Sequence, residues 1–324
     1  EARVQFEVLL EQSPHDSEIV LSLALITMEN AMEPEAEQYF MQLLSLGQRK
    51  NTANYYLGRL KEKQQQYGAA RDYYQAVGQG KEFMAAQVAL AQMLARQGKL
   101  NEALVLIDEA KTRNPARVES LYLLEGELLV NDGQLKKALG LFDKAIKSSP
   151  KSVNLLYSRA MLQEKLDNLP ALENDLRKIL EIKPENVAAL NALGYTLADR
   201  TDRYREAEKL ILKAYSFNQD DPAILDSMGW VQYRLGNYES AVKYLRMAYD
   251  KFPDAEIAAH LGEVIWVMGN REEARSLWGQ ALKNSPDSWI LKDTMDRFEK
   301  QGLKPILPTS PTSGVPSEAV SQVK

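Results

Sequence analysis

The 324-residue sequence contains no cysteine. That absence removes disulfide frameworks, thiolate nucleophiles and cysteine-ligated zinc or iron–sulfur centres, and it identifies no compartment. Histidine is almost as scarce, with only His15 and His260, 245 positions apart. Imidazole is the commonest general base and metal ligand, so the expectation is a noncatalytic chain with no cofactor and no metal. Positive charge is not in excess: 40 Lys and Arg stand against 45 Asp and Glu, a net charge of -5. The clustered basic face of a nucleic-acid binder is therefore not expected. No apolar run approaches the ~18 residues of a bilayer span, and there is no basic, apolar, small-residue leader. Glycine-rich phosphate cradles, Gly-x-Ser-x-Gly elbows and His-Glu-x-x-His motifs are also missing.

What the sequence does have is a period. Pro115, Pro150 and Pro184 are 35 and 34 residues apart, Pro253 lies 69 beyond Pro184, and Pro286 follows 33 later. Small residues keep the same phase. Gly58/Ala70, Ala91/Ala103, Gly126/Ala138, Gly229/Ala241 and Gly262/Ala274 are each 12 apart, and Gly194/Ala207 is 13 apart, an insertion of one in the 199–203 loop. Four residues after the second small position stands a bulky one: Tyr74, Ile107, Phe142, Ile211, Leu245 or Trp278. A period near ~34 residues with this pattern is that of a stacked helix-turn-helix unit. Small residues at two facing positions let paired helices approach, and the bulky residue fills the gap. Gly98, Gly133, Gly236 and Gly269 fall where a left-handed helix stop belongs, with Asp167-Asn168 in their place in the repeat lacking glycine.

These residues resemble the tetratricopeptide repeat. Leu225-x2-Met228-Gly229, Gly236-Asn237-Tyr238, Ala241-x3-Leu245-x2-Ala248 and Pro253 make one nearly complete signature. Leu261-Gly262, Gly269, Ala274, Trp278, Ala281 and Pro286 make another. The segments 15–50, 51–83 and 153–186 are degenerate copies. The resemblance implies an all-α solenoid, a right-handed superhelix of about eight helical hairpins whose first helices line a concave face. Residues 1–14 are read as the end of a preceding helix, 15–287 as the repeat array, 288–303 as a capping helix and 304–324 as a disordered Pro/Ser/Thr tail. In the cap, Trp289, Leu291, Met295 and Phe298 recur at helical spacing and are expected to pack on the last hairpin.

Counting from Val153, Val187, Pro222 and Ala255, the inward positions of the last four first helices carry Tyr157, Asn191, Tyr195, Asp226, Trp230, Tyr233, Arg234, His260, Glu263 and Trp266. Aromatic and Arg side chains among acids and amides are anchor chemistry for a polypeptide partner, so these ten are the candidate protein-binding residues. The alternative for Trp230 and Trp266 is packing against the neighbouring repeat or the closing helix. Trp278 and Trp289 are assigned to packing, and Asp221-Pro222 to a helix cap with a first-turn proline. Arg200, Arg203, Arg205, Lys209 and Lys213, interleaved with acids, read as a solvated face.

A narrower resemblance covers about residues 186–300. The strings 189–200, 226–234 and 258–266 look like the carboxyl-terminal block of outer-membrane tetratricopeptide-repeat lipoproteins, the LbcA-like adaptors of a carboxyl-terminal processing protease. That family implies a periplasmic adaptor, held to the outer membrane by an amino-terminal lipid, that binds the protease and presents protein substrates such as peptidoglycan hydrolases. No lipobox cysteine is present. The chain opens on Glu1-Ala2-Arg3, mid-helix and without an initiating Met, so an upstream segment carrying any anchor is expected. Two other readings stand beside this one: a lipoprotein for pilus or secretin assembly, and the regulatory part of a larger enzyme, with the cytoplasm as the alternative location.

Overall fold

A computed structural model describes residues 2–299; the expected tail at 304–324 and the last residues of the expected cap lie outside the described residues. Eighteen α-helices and no strand occur among them. The chain divides into two compact units, Glu1–Ser149 and Pro150–Lys324. In the first unit, α1 (Ala2–Gln12) packs on α2 (Ser17–Glu29), which forms a hairpin with α3 (Glu33–Ser45). Three more hairpins follow: α4 (Lys50–Lys63) with α5 (Tyr67–Gln75), α6 (Phe83–Arg96) with α7 (Leu100–Arg113), and α8 (Val118–Asn131) with α9 (Leu135–Ser148). The second unit pairs α10 (Val153–Lys165) with α11 (Leu169–Ile182), α12 (Val187–Arg200) with α13 (Tyr204–Phe217), α14 (Pro222–Arg234) with α15 (Tyr238–Lys251), and α16 (Ala255–Val267) with α17 (Arg271–Asn284). The last helix, α18 (Trp289–Glu299), packs on α16 and α17. Within each unit the second helix of one hairpin packs on the first helix of the next, the arrangement of an α-solenoid.

The phase read from the sequence is the phase of the packing. A Cβ at Gly58 would lie 2.6 Å from the ring of Tyr74, and one at Gly194 would lie 2.5 Å from Ile211. Gly126, Gly229 and Gly262 face Phe142, Leu245 and Trp278 more closely still. Each close approach joins the glycine of a first helix to the bulky residue of its partner, and all six bulky positions from Tyr74 to Trp278 are buried. The degenerate hairpin α10–α11 uses Leu172, buried, where alanine is usual. It adds a two-pronged ion pair, with Arg159 Nε and Nη2 each donating at 2.7 Å to the buried Asp175 carboxylate.

The turns follow the same logic. Gly236 adopts φ +83°, and its N–H and that of Asn237 close back onto the carbonyls of Tyr233 and Gln232 at 2.9 Å each. A left-handed residue there ends the helix while satisfying its last carbonyls. In the repeat without glycine, Asp167 takes the left-handed conformation (φ +56°) and the Asn168 side chain caps α11 by accepting from Ala171 N–H. Asp221 caps α14 ahead of Pro222, accepting from Ala223 and Ile224 N–H at 2.9 and 3.3 Å. One expectation about the cap is corrected. Leu291 and Phe298 are buried, but Trp289 is 74% exposed, because it sits at the first position of α18 and points away from the last hairpin.

Candidate functional site

The ten candidate residues all belong to the second unit, on α10, α12, α14 and α16. Six of them are not free. Asp226, Trp230, Tyr233, Arg234, His260 and Glu263 are buried, between 1% and 7% exposed. Their polar atoms are turned on one another. Trp230 Nε1 donates to Asp199 Oδ1 at 3.2 Å, and its ring stacks on His260 with centroids 4.2 Å apart and planes at 26°. His260 Nδ1 lies 3.0 and 3.1 Å from the two Asp226 oxygens, and Nε2 lies 3.4 Å from the Tyr195 hydroxyl, which itself donates to Glu256 at 3.2 Å. Tyr233 donates to Glu263 at 3.1 Å, and Arg297 on α18 donates to the other Glu263 oxygen at 3.1 Å.

The expectation that this cluster projects unused is therefore corrected for those six residues; packing against neighbouring repeats is what the structure shows. The cause is curvature. Tyr195 on α12 reaches His260 and Glu256 on α16, passing over the face of α14. Residues on the inward stripe of α14 are covered from both sides, so all positions from Ile224 to Arg234 are buried. Arg234 illustrates the outcome. It donates to the carbonyl of Asp199 at 3.1 Å and to the Tyr204 hydroxyl at 2.7 Å, with its guanidinium 4.8 Å from the Tyr204 ring centroid. A cation on the last carbonyls of α12 is a favourable helix terminus, so this side chain stops the preceding first helix.

Electrostatics agree with the geometry. Burial alone would lower the His260 pKa, but the Asp226 carboxylate, its hydrogen bond and the charges of Glu256 and Glu263 outweigh it and raise the value to about 9. Both ring nitrogens then donate, one to a carboxylate and one to a hydroxyl whose own proton is directed at Glu256. Burial, then the nearby Asp199, Glu256 and Asp226, pushes the Tyr195 phenol up. Burial and Glu263 do the same for Tyr233.

Tyr157, Asn191, Tyr195 and Trp266 are half-buried. Trp266 lies between Trp278, stacked at 5.7 Å, and the guanidinium groups of Arg271 and Arg275 at 5.4 and 5.0 Å. It thus belongs to the end of the stack, beside Phe298 of α18. Asn191, Tyr195 and Asp226 line an open groove of about 290 Å³ across α10, α12, α14 and α16. Its other walls include Met161, Glu164, Phe252 and Glu256, none of which the spacing argument selected. Glu164 and Glu256 look like ordinary helix-surface acids in sequence, and Phe252 falls outside the helical period; only the fold brings them together. The Asn191 side-chain oxygen is shielded from solvent and has no hydrogen-bond partner. Arg200, Arg203 and Arg205, by contrast, are ion-paired with Asp167, with Glu173 and Glu206, and with Glu208, on the exposed surface expected for them.

Comparison with known proteins agrees with this architecture. The tetratricopeptide-repeat family model matches residues 55–117 and 227–289. Both matched stretches are tetratricopeptide repeats. It is 44% identical over 213 residues to a TPR repeat-containing protein of Pseudomonas aeruginosa, a match covering 66% of this chain and 36% of that one. The chain thus spans about a third of the length of that curated relative. Among solved structures, a tetratricopeptide repeat protein from Parabacteroides merdae superposes with a TM-score of 0.54 at 18% identity, covering 86% of this chain and 97% of the other. PilW, described as a widely conserved type IV pilus biogenesis factor, gives 0.53 at 18% identity, covering 67% and 100%. At that identity both show the fold alone.

Proposed function

We propose that this chain is a noncatalytic scaffold for protein–protein interaction and, more narrowly, a periplasmic adaptor that binds a carboxyl-terminal processing protease and presents protein substrates, among them peptidoglycan hydrolases. The observation that carries the scaffold reading is the open groove on the first helices of the second unit, resting on a rigid floor of buried, mutually hydrogen-bonded side chains. A floor of buried side chains already tied to one another by hydrogen bonds reduces the ordering cost when a partner arrives. The narrower reading rests on the likeness of residues 186–300 to lipoprotein adaptors, with an outer-membrane lipid anchor as part of it. An adaptor of this kind works by effective concentration, holding enzyme and substrate on one body so that their encounter becomes intramolecular.

The test is reconstituted proteolysis, with purified carboxyl-terminal processing protease and a peptidoglycan hydrolase at concentrations well below their mutual KM, with and without this chain. Accelerated cleavage that fades as the protease is raised to saturation is expected, since tethering gives nothing once encounter is no longer limiting. Cleavage at the same rate with and without the chain overturns the adaptor reading.

A further inference from the structure

The groove of the second unit has an asymmetric chemistry. Four carboxylates, Glu164, Asp226, Asp254 and Glu256, line it, and no Lys or Arg does. Two of them are occupied locally: Asp226 by His260, and Asp254 by the Glu256 N–H that it caps at 2.8 Å. Neither Glu164 nor Glu256 forms an ion pair with Lys or Arg among the described residues, although ion pairs are common elsewhere on the same unit. Arg200 acts on Glu164 only through space, its guanidinium being paired with Asp167. Glu256 accepts only the Tyr195 hydroxyl. Burial, with Asp226 and Asp254 adding to it, pushes the Glu256 carboxyl up even against the pull of His260. The same groove carries apolar side chains beside the acids, Met161, Ile257 and Phe252, the last 57% exposed.

A volume of about 290 Å³ admits a few side chains, not a helix of ~10 Å diameter. In an extended segment successive side chains point to opposite sides, so basic and apolar side chains can both be presented to a groove that offers carboxylates and apolar surface. Charged groups of a single sign in a cleft with low-dielectric walls select a partner of opposite sign. We propose that this groove takes an extended cationic segment of a partner protein, a Lys or Arg directed at Glu164 and Glu256 and a neighbouring apolar side chain against Phe252. Asn191, whose shielded side-chain oxygen has no partner, lines the same groove. The inference rests on the scaffold reading and specifies the chemistry of the partner.

The experiment uses the full chain and three dye-labelled peptides in fluorescence anisotropy: one alternating Lys and Leu, one with Glu for Lys, and one with Gln for Lys. The Lys-Leu peptide is expected to bind tightest and to weaken as salt is raised. The double variant Glu164→Gln/Glu256→Gln is expected to bind it roughly tenfold or more weakly. Because Glu256 also accepts the Tyr195 hydroxyl, the single variant Glu164→Gln, at an exposed side chain that caps no helix, is measured beside it and is expected to weaken binding with an unchanged helical melt. Glu239→Gln, on the exposed first turn of α15, has the same change per site and is expected to leave affinity unaltered. Equal binding of the Lys and Gln peptides, or equal affinity in parent and double variant, overturns the inference. Tighter binding of the Glu peptide overturns it as well, while leaving the scaffold reading, which the proteolysis assay judges separately.

Discussion

His260 carries its charge inside the protein, and this gives the second unit a pH dependence with a definite sign. Its folded pKa, about 9, lies above the ordinary ~6.5 of the unfolded chain. The stabilisation it brings is therefore fully present below about pH 6.5 and is lost as pH rises through about 9. Its size is on the order of 3 kcal/mol. Urea unfolding of the parent between about pH 6 and pH 9.5 should show that decline, and His260→Gln should lack it. A parent whose stability is flat across the window would mean that the imidazole is neutral when folded. The indole stacked on His260 belongs to the same unit of structure. Trp230→Ala removes a 5%-exposed ring together with its hydrogen bond to Asp199, and a cost of roughly 3–5 kcal/mol is expected in chemical denaturation. A loss below ~1 kcal/mol would contradict its placement in the core. Any binding defect of this variant reports folding before it reports docking, which is why the groove is better probed at Glu164 and Glu256.

At the scale of the helical hairpin, two glycines of the last repeat separate packing from propensity. Gly262 of α16 faces the Trp278 indole so closely that an added methyl must displace the ring, whereas a methyl at Gly279 of α17 meets nothing within 4 Å. Gly262→Ala should destabilise by about 1–3 kcal/mol through overpacking. Gly279→Ala should stabilise by roughly 0.4–1 kcal/mol, by restricting the unfolded chain and improving helix propensity. Thermal melts of the two variants in opposite directions would confirm the seam; shifts of the same sign would contradict it. This much was legible in the sequence, because a 12-residue spacing of small residues followed by a bulky one is a local pattern, and the contact it encodes joins neighbouring helices of one hairpin. The turn at Asp167-Asn168 was legible for the same reason. Trp289 was not, since helical spacing alone cannot tell which side of a terminal helix meets the array.

At the scale of the whole second unit, the sequence shows which residues share the inward face but not how tightly that face is curved. Periodicity selected Asp226, Trp230 and His260 correctly as neighbours and incorrectly as free, because their burial depends on a contact between first helices two repeats apart. The groove walls at Glu164, Phe252 and Glu256 escaped for the complementary reason: they join the site through stacking of separate repeats and carry no local signal. The Tyr195 contact also bears on cooperativity. A solenoid with only nearest-neighbour interfaces confines a perturbation to adjoining repeats, but the Tyr195 hydroxyl ties α12 directly to His260 and Glu256 of α16. Tyr195→Phe keeps the ring and removes that oxygen, leaving the buried His260 Nε2 proton without an acceptor, at a cost of about 1–3 kcal/mol. Hydrogen exchange should then quicken at amides of α16 as well as in α12 and the helices packed directly on it. Faster exchange confined to α12 and the helices packed directly on it would show that the contact across α14 carries no energy, and that the unit behaves as a simple linear stack.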